Sequence, residues 1–173
     1  MISDSLPGHL CLVVSAAGEE EVDMLHVKAN IAVCYSSLGR DEEALALRRE
    51  LYARSLALGF SGSGHFIDVV NLSVSLQATQ RFTEATSLLR EQLPKARRAL
   101  GAENDTFLRL RGLYASALGG DDCASRDDVV EAVTIFEELA STTRRIYGEF
   151  HPFAKLIQND LERVRENLAT FDA

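Results

Sequence analysis

The chain has 173 residues, of which 46% are hydrophobic and 25% charged, a balance that suits one folded domain and excludes a disordered or fibrous protein. Its 26 acidic side chains outweigh 18 basic ones to give a formal charge of −8, so the totals lack the basic footprint that nucleic acid or an anionic membrane requires. There is no Trp and only 7% aromatic residues, so the core must rest on Leu, Ala, Val and Ile.

The first residues carry no Lys or Arg ahead of their apolar run, and that run, Leu10 to Val14, is short for a signal peptide. Leu10, Val13, Val14 and Ala17 follow a helical spacing, so residues 1–17 read as a remnant helix of a preceding repeat. No uncharged stretch reaches the roughly 20 residues of a membrane span. The three cysteines, Cys11, Cys34 and Cys123, are far apart and odd in number, which implies no disulfide framework and a reducing, cytoplasmic setting.

From residue 18 onward the chain repeats itself. Leu58-Gly59 recurs as Leu100-Gly101 and as Tyr147-Gly148, 42 and then 47 residues further on. Ala44 recurs as Ala85 and Ala132. Each unit holds two helical patterns. Leu25, Ala29, Ala32, Val33 and Ser36 keep a 3.6-residue period, and so do Ala44, Leu45, Leu47, Leu51, Ser55 and Leu58. Between them, Gly39 suits the left-handed position after a helix end, Asp41 an N-cap, and Glu42 and Glu43 the positive end of the next helix. The second unit predicts helices over 67–78 and 83–100. The third predicts 107–118 and 127–147, with its extra residues in a loop over Gly119 to Ser125. A last helix over 152–168 opens on Pro152 at a position where its missing N–H is harmless. Its alternating greasy and polar residues predict a capping helix.

The expected boundaries are therefore an atypical segment over 1–17, a repeat domain over 18–168 and a tail over 169–173. Within the domain the repeats span about 22–60, 65–101 and 106–148, with the cap at 152–168. Two features break the pattern. Gly59 to Phe66 is rich in Gly and Ser and reads as a flexible joint. Pro94 lies inside a helix, where it costs about 3 kcal/mol and predicts a kink.

These units resemble tetratricopeptide repeats of the long kind found in kinesin light chains and nephrocystin-type proteins. The large, small, large and small positions of that pattern match Ile31, Ala32, Tyr35 and Ala44. They match again at Leu72, Ser73, Leu76 and Ala85, and at Tyr114, Ala115, Leu118 and Ala132. Asn30-Ile31-Ala32 and Asn71-Leu72-Ser73 match the family's Asn-Leu-Ala, with Asn159-Asp160-Leu161 a weaker match. Tyr147 to Pro152 matches its Leu-Gly-x-x-His-Pro linker. The resemblance implies an all-α fold, a short right-handed α-solenoid of antiparallel helix pairs whose first helices line a concave groove. By register, it implies groove positions at His26, Asn30, Asn71, Gln77, Arg109, Asn159 and Arg163, with Val33, Val70 and Val74 as groove or core residues.

No constellation for catalysis stands out. His9, His26, His65 and His151 lack metal-type partners at helical spacing, and Gly59 to Gly64 is not followed by the Lys-Ser/Thr of a P-loop. The acidic runs sit at helix starts, where carboxylates complement the dipole. Arg97-Arg98 and Arg144-Arg145 sit at helix ends, where cations do the same, and with Arg48-Arg49 they form either a structural set or a basic ladder. Cys34 reads as a small core residue. A non-catalytic scaffold is expected, without cofactor or metal. It binds a protein or peptide and neither nucleic acid nor membrane. The alternative is a structural, self-associating module.

Overall fold

The computed structural model describes residues 18–59, 63–121 and 123–171. They form seven α-helices: α1 Glu19–Ser37, α2 Asp41–Ala57, α3 Ser63–Ala78, α4 Phe82–Leu100, α5 Asp105–Gly120, α6 Arg126–Tyr147 and α7 Pro152–Phe171. No strand occurs among the described residues. The chain divides into two compact units, residues 1–79 and 80–173. The expected remnant helix over 1–17 lies outside the described residues.

In the first unit α2 packs against both α1 and α3. The α1–α2 turn has Gly39 at φ 71°, a left-handed conformation that costs glycine nothing and other residues strain. Asp41 is the first residue of α2 and Arg40 holds the cap position, one residue earlier than the spacing predicts. Asp41, Glu42 and Glu43 do fill the first turn. Two further expectations change here. Helix α3 begins at Ser63, so much of the Gly/Ser-rich stretch is helical, while residues 60–62 lie outside the described ones. Ile31, placed in the core by the repeat pattern, is 40% exposed, and Cys34 is exposed as well.

In the second unit α4 packs on α5, α5 on α6, and α6 on α7, with a smaller contact between α5 and α7. Helix α4 runs through Pro94 without ending, and Pro94 itself is exposed. Gly119 and Gly120 belong to α5, so the inserted loop is shorter than expected. The small positions do what close helix packing needs. Ala85 and Ala132 have no exposed surface, like Ala44 in the first unit. A Cβ on Gly112 would lie 3.3 Å from Ile157, and one on Gly119 would lie 3.2 Å from Val164, so these glycines let α7 approach α5. Around them Leu108, Leu110, Phe136, Leu139 and Val164 are fully buried. Helix α7 buries Phe153, Ala154, Ile157, Leu161 and Val164 and turns its polar residues outward.

Candidate interaction surface

One register of the first helix in each pair is open on α1, α3 and α7 for most of its length, and on α5 at Arg109, with Leu113 and Ser116 half-buried. On α1 this row is His26, Asn30, Val33 and Ser37, spaced by four, three and four residues and all exposed. On α3 the matching row is Ile67, Asn71, Val74 and Ala78, where Asn71 is half-buried and the others are exposed. On α5 it is Arg109, Leu113 and Ser116, and on α7 it is Lys155, Asn159 and Glu162. His26, Asn30, Asn71, Arg109 and Asn159 thus occupy this row. Gln77 and Arg163 do not: each is displaced around its helix from the row, Gln77 by about a third of a turn from Asn71 at 3.6 residues per turn. Ile67 and Lys155 belong to the row and were missed. The same spacing that selects Asn71 and Asn159 selects them four residues earlier.

Each row residue has its own surroundings. The Asn71 backbone carbonyl accepts a hydrogen bond from Arg48 Nη1 at 2.9 Å, and the same nitrogen donates to Ser75 Oγ at 2.7 Å. Arg48 therefore ties α2 to α3 as a buried side chain, so the basic-ladder reading fails for it. Burial pushes its guanidinium pKa down, opposed by the nearby Asp41. Arg109 donates to Asp105 at 2.7 Å and lies over the Phe153 ring, 5.4 Å from its centre. Arg163 reaches Ser116 Oγ on α5 at 3.4 Å and Asp160 at 3.5 Å. Burial raises the Asp160 carboxyl above its ordinary range, and the Arg163 charge opposes that shift.

A polar relay crosses the second unit that the sequence did not reveal. Arg90 on α4 donates to Tyr114 Oη at 3.3 Å, and Tyr114 Oη donates to Glu131 on α6 at 3.2 Å. Tyr114 was read only as a large packing residue, and nothing in the spacing shows its hydroxyl bridging two helices. Asn159 lines a depression of about 470 Å³ between α6 and α7, together with Arg144, Phe150 and Lys155. Among the described residues no three His, Cys, Asp or Glu side chains gather as a metal site, and no helix is long and apolar enough to cross a membrane.

With this geometry in place, comparison gives the chain its setting. Residues 70–105 match the tetratricopeptide repeat family model. That stretch begins at Val70 beside Asn71 and takes in all of α4. No curated protein matches the chain. Among solved structures, the nearly identical TPR-like repeats assigned to a kinesin light chain of Podosopora anserina superpose with a TM-score of 0.73 at 21% identity, over 83% of this chain. A glutamine-to-methionine variant of those repeats gives the same TM-score, identity and coverage. The chain spans 66% of the length of each, just under two thirds. The fold is accordingly all-α and tetratricopeptide-like.

Proposed function

We propose that the chain is a non-catalytic, cytoplasmic scaffold that holds a peptide or protein partner along the open row of its first helices. The observation that carries this reading is the row itself: His26, Asn30 and Val33 on α1 stand exposed in the register that Ile67, Asn71 and Val74 keep on α3. A stable helix surface with mixed polar and apolar side chains suits a ligand held at low ordering cost. An asparagine carboxamide both donates and accepts, so Asn30 and Asn71 can pair with the backbone of an extended peptide whatever its side chains. Within the second unit, Arg109 and Lys155 hold the same register on their own helices, and the positive charge they add there is a mild bias because Arg109 already pairs with Asp105.

A peptide array tests this reading. The double change Asn30→Ala/Asn71→Ala removes bound signal while the melting temperature stays put, because Arg48 bonds the Asn71 carbonyl and not its side chain. Binding that survives the double change, or an array that stays blank with the native chain, refutes it.

A further inference from the structure

The repeat sets two helix seams side by side. Second helices match at a spacing of 41 residues, Ala44 with Ala85, and the first helices that follow them match at 42, Leu72 with Tyr114. The α2–α3 seam of the first unit is thereby matched to the α4–α5 seam of the second. The α4–α5 positions are apolar: Leu89 with Ala117, Ala96 with Leu110, and Leu93 with Phe107. All of these are buried except Leu93, which is half-buried. The same three places on α2 and α3 hold Arg48 with Ser75, Ser55 with Asp68, and Tyr52 with His65.

Each of those three pairs joins α2 to α3. Arg48 donates to Ser75 Oγ at 2.7 Å and to the Asn71 carbonyl at 2.9 Å, both neutral acceptors. Asp68 takes a hydrogen bond from the Ser55 hydroxyl. Burial raises the Asp68 carboxyl above its ordinary range, and the Ser55 bond and the nearby His65 oppose that shift. The Tyr52 and His65 rings stack with their centres 5.6 Å apart. A guanidinium and a carboxylate have thus left water at this seam, where the matched seam buries aliphatic side chains. Parting an apolar seam exposes apolar surface to water, with no compensating bond. Parting the polar one rehydrates Arg48 and Asp68, and water replaces the hydrogen bonds that they lose. The α2–α3 seam therefore separates for less free energy.

We propose that α1 and α2 part from α3 together at this seam, in an opening that leaves α3 and the second unit folded. Helix α1 goes with α2 because it packs on α2. Repeat proteins permit such partial openings, since each element draws its stability from neighbouring interfaces. The opening carries Asn30 on α1 away from Asn71 on α3. Under the function proposed above, it sets whether one ligand reaches both asparagines; that use rests on the earlier reading, and the opening itself does not.

Hydrogen exchange of the full chain, read by mass spectrometry, tests this. Once parted, two helices alone are too few to hold their amides, so those amides exchange. The amides of α1 and α2 are expected to share one opening constant, roughly tenfold or more above that of α3, α5 and α6. Two double variants then give this seam the apolar pairs of α4–α5: Arg48→Leu/Ser75→Ala and, separately, Ser55→Ala/Asp68→Leu. Each is expected to slow the α1 and α2 amides by about tenfold or more and to leave α5 and α6 unchanged, because a well-packed apolar pair is more stable than a desolvated charge. Native α1 and α2 amides as slow as those of α5 and α6 overturn the proposal. So do rates graded inward from the start of α1, which mark fraying, and α3 amides that exchange along with α1 and α2, which mark unfolding of the whole first unit. Exchange that stays fast in whichever double variant keeps native helical circular dichroism overturns it as well.

Discussion

Ala132 sits where two helices meet most closely. A Cβ on Gly119 of α5 would lie 3.5 Å from the Ala132 Cβ of α6, and Ala132 has no exposed surface. A larger side chain has no room unless the helices part. Ala132→Leu is expected to destabilise the fold by about 1–3 kcal/mol in urea denaturation, the usual cost of overpacking a core. The start of the same helix gives a second test. Ser125 Oγ accepts the Asp128 amide at 3.2 Å, and the Asp128 carboxylate accepts from the Ser125 amide at 3.0 Å. The Ser125 hydroxyl, and then its amide, hold the Asp128 carboxyl below its ordinary 3.8. The folded value is the depressed one, so this group's contribution is complete above the unfolded value and is lost as pH falls through the folded one. Ser125→Ala is expected to cost about 1 kcal/mol near neutral pH. Urea melts should show the gap from the native chain closing in acid.

Helix existence and type were legible because the repeated units supply several copies of one signal. A single stretch such as 126–147 carries modest periodicity, but Ala44, Ala85 and Ala132 in register fix three second helices together. Helix ends were less legible. Ser63 and Gly64 favour turns by themselves, and they are helical because Phe66 and Val69 bury behind them and extend the turn backward. Pro94 is expected inside a continuing helix, and it lies inside one. It lies on the solvent side, where the lost hydrogen bond leaves a carbonyl that water can reach, and α4 continues through it. Exposure of Ile31 and Cys34 could not be read from α1 alone. Their equivalents on α3, Leu72 and Ser75, keep the same spacing and are buried, so spacing alone does not tell the two helices apart. Of the exposed row, the asparagines carry a motif. Ile67 and Lys155 follow from register only once the row is recognised, and Gln77 and Arg163 stand displaced around their helices from it.

The second unit, taken by itself, holds four helices that each rest on the next in chain order, α4 to α5 to α6 to α7. Its core, from Ala85 through Phe136 to Val164, is built within those helices. Repeat arrays draw stability from such neighbouring interfaces, so a chain of residues 80–173 is expected to keep its helical circular dichroism and to melt cooperatively. A broad, gradual transition would show that this unit borrows stability from elsewhere. Phe136 is its largest fully buried side chain.

The short link from Asp121 to Ser125 between α5 and α6 has a meaning for descent as well as for form. Growth or shrinkage there lengthens a tip and leaves Leu110, Tyr114 and Phe136 where they were, since loops carry little of the packing. A lineage can gain residues at such a corner and at a helix end alike: the link is two residues longer than the one over 79–81, and α6 is three residues longer than α4, which together turn a 42-residue spacing into one of 47.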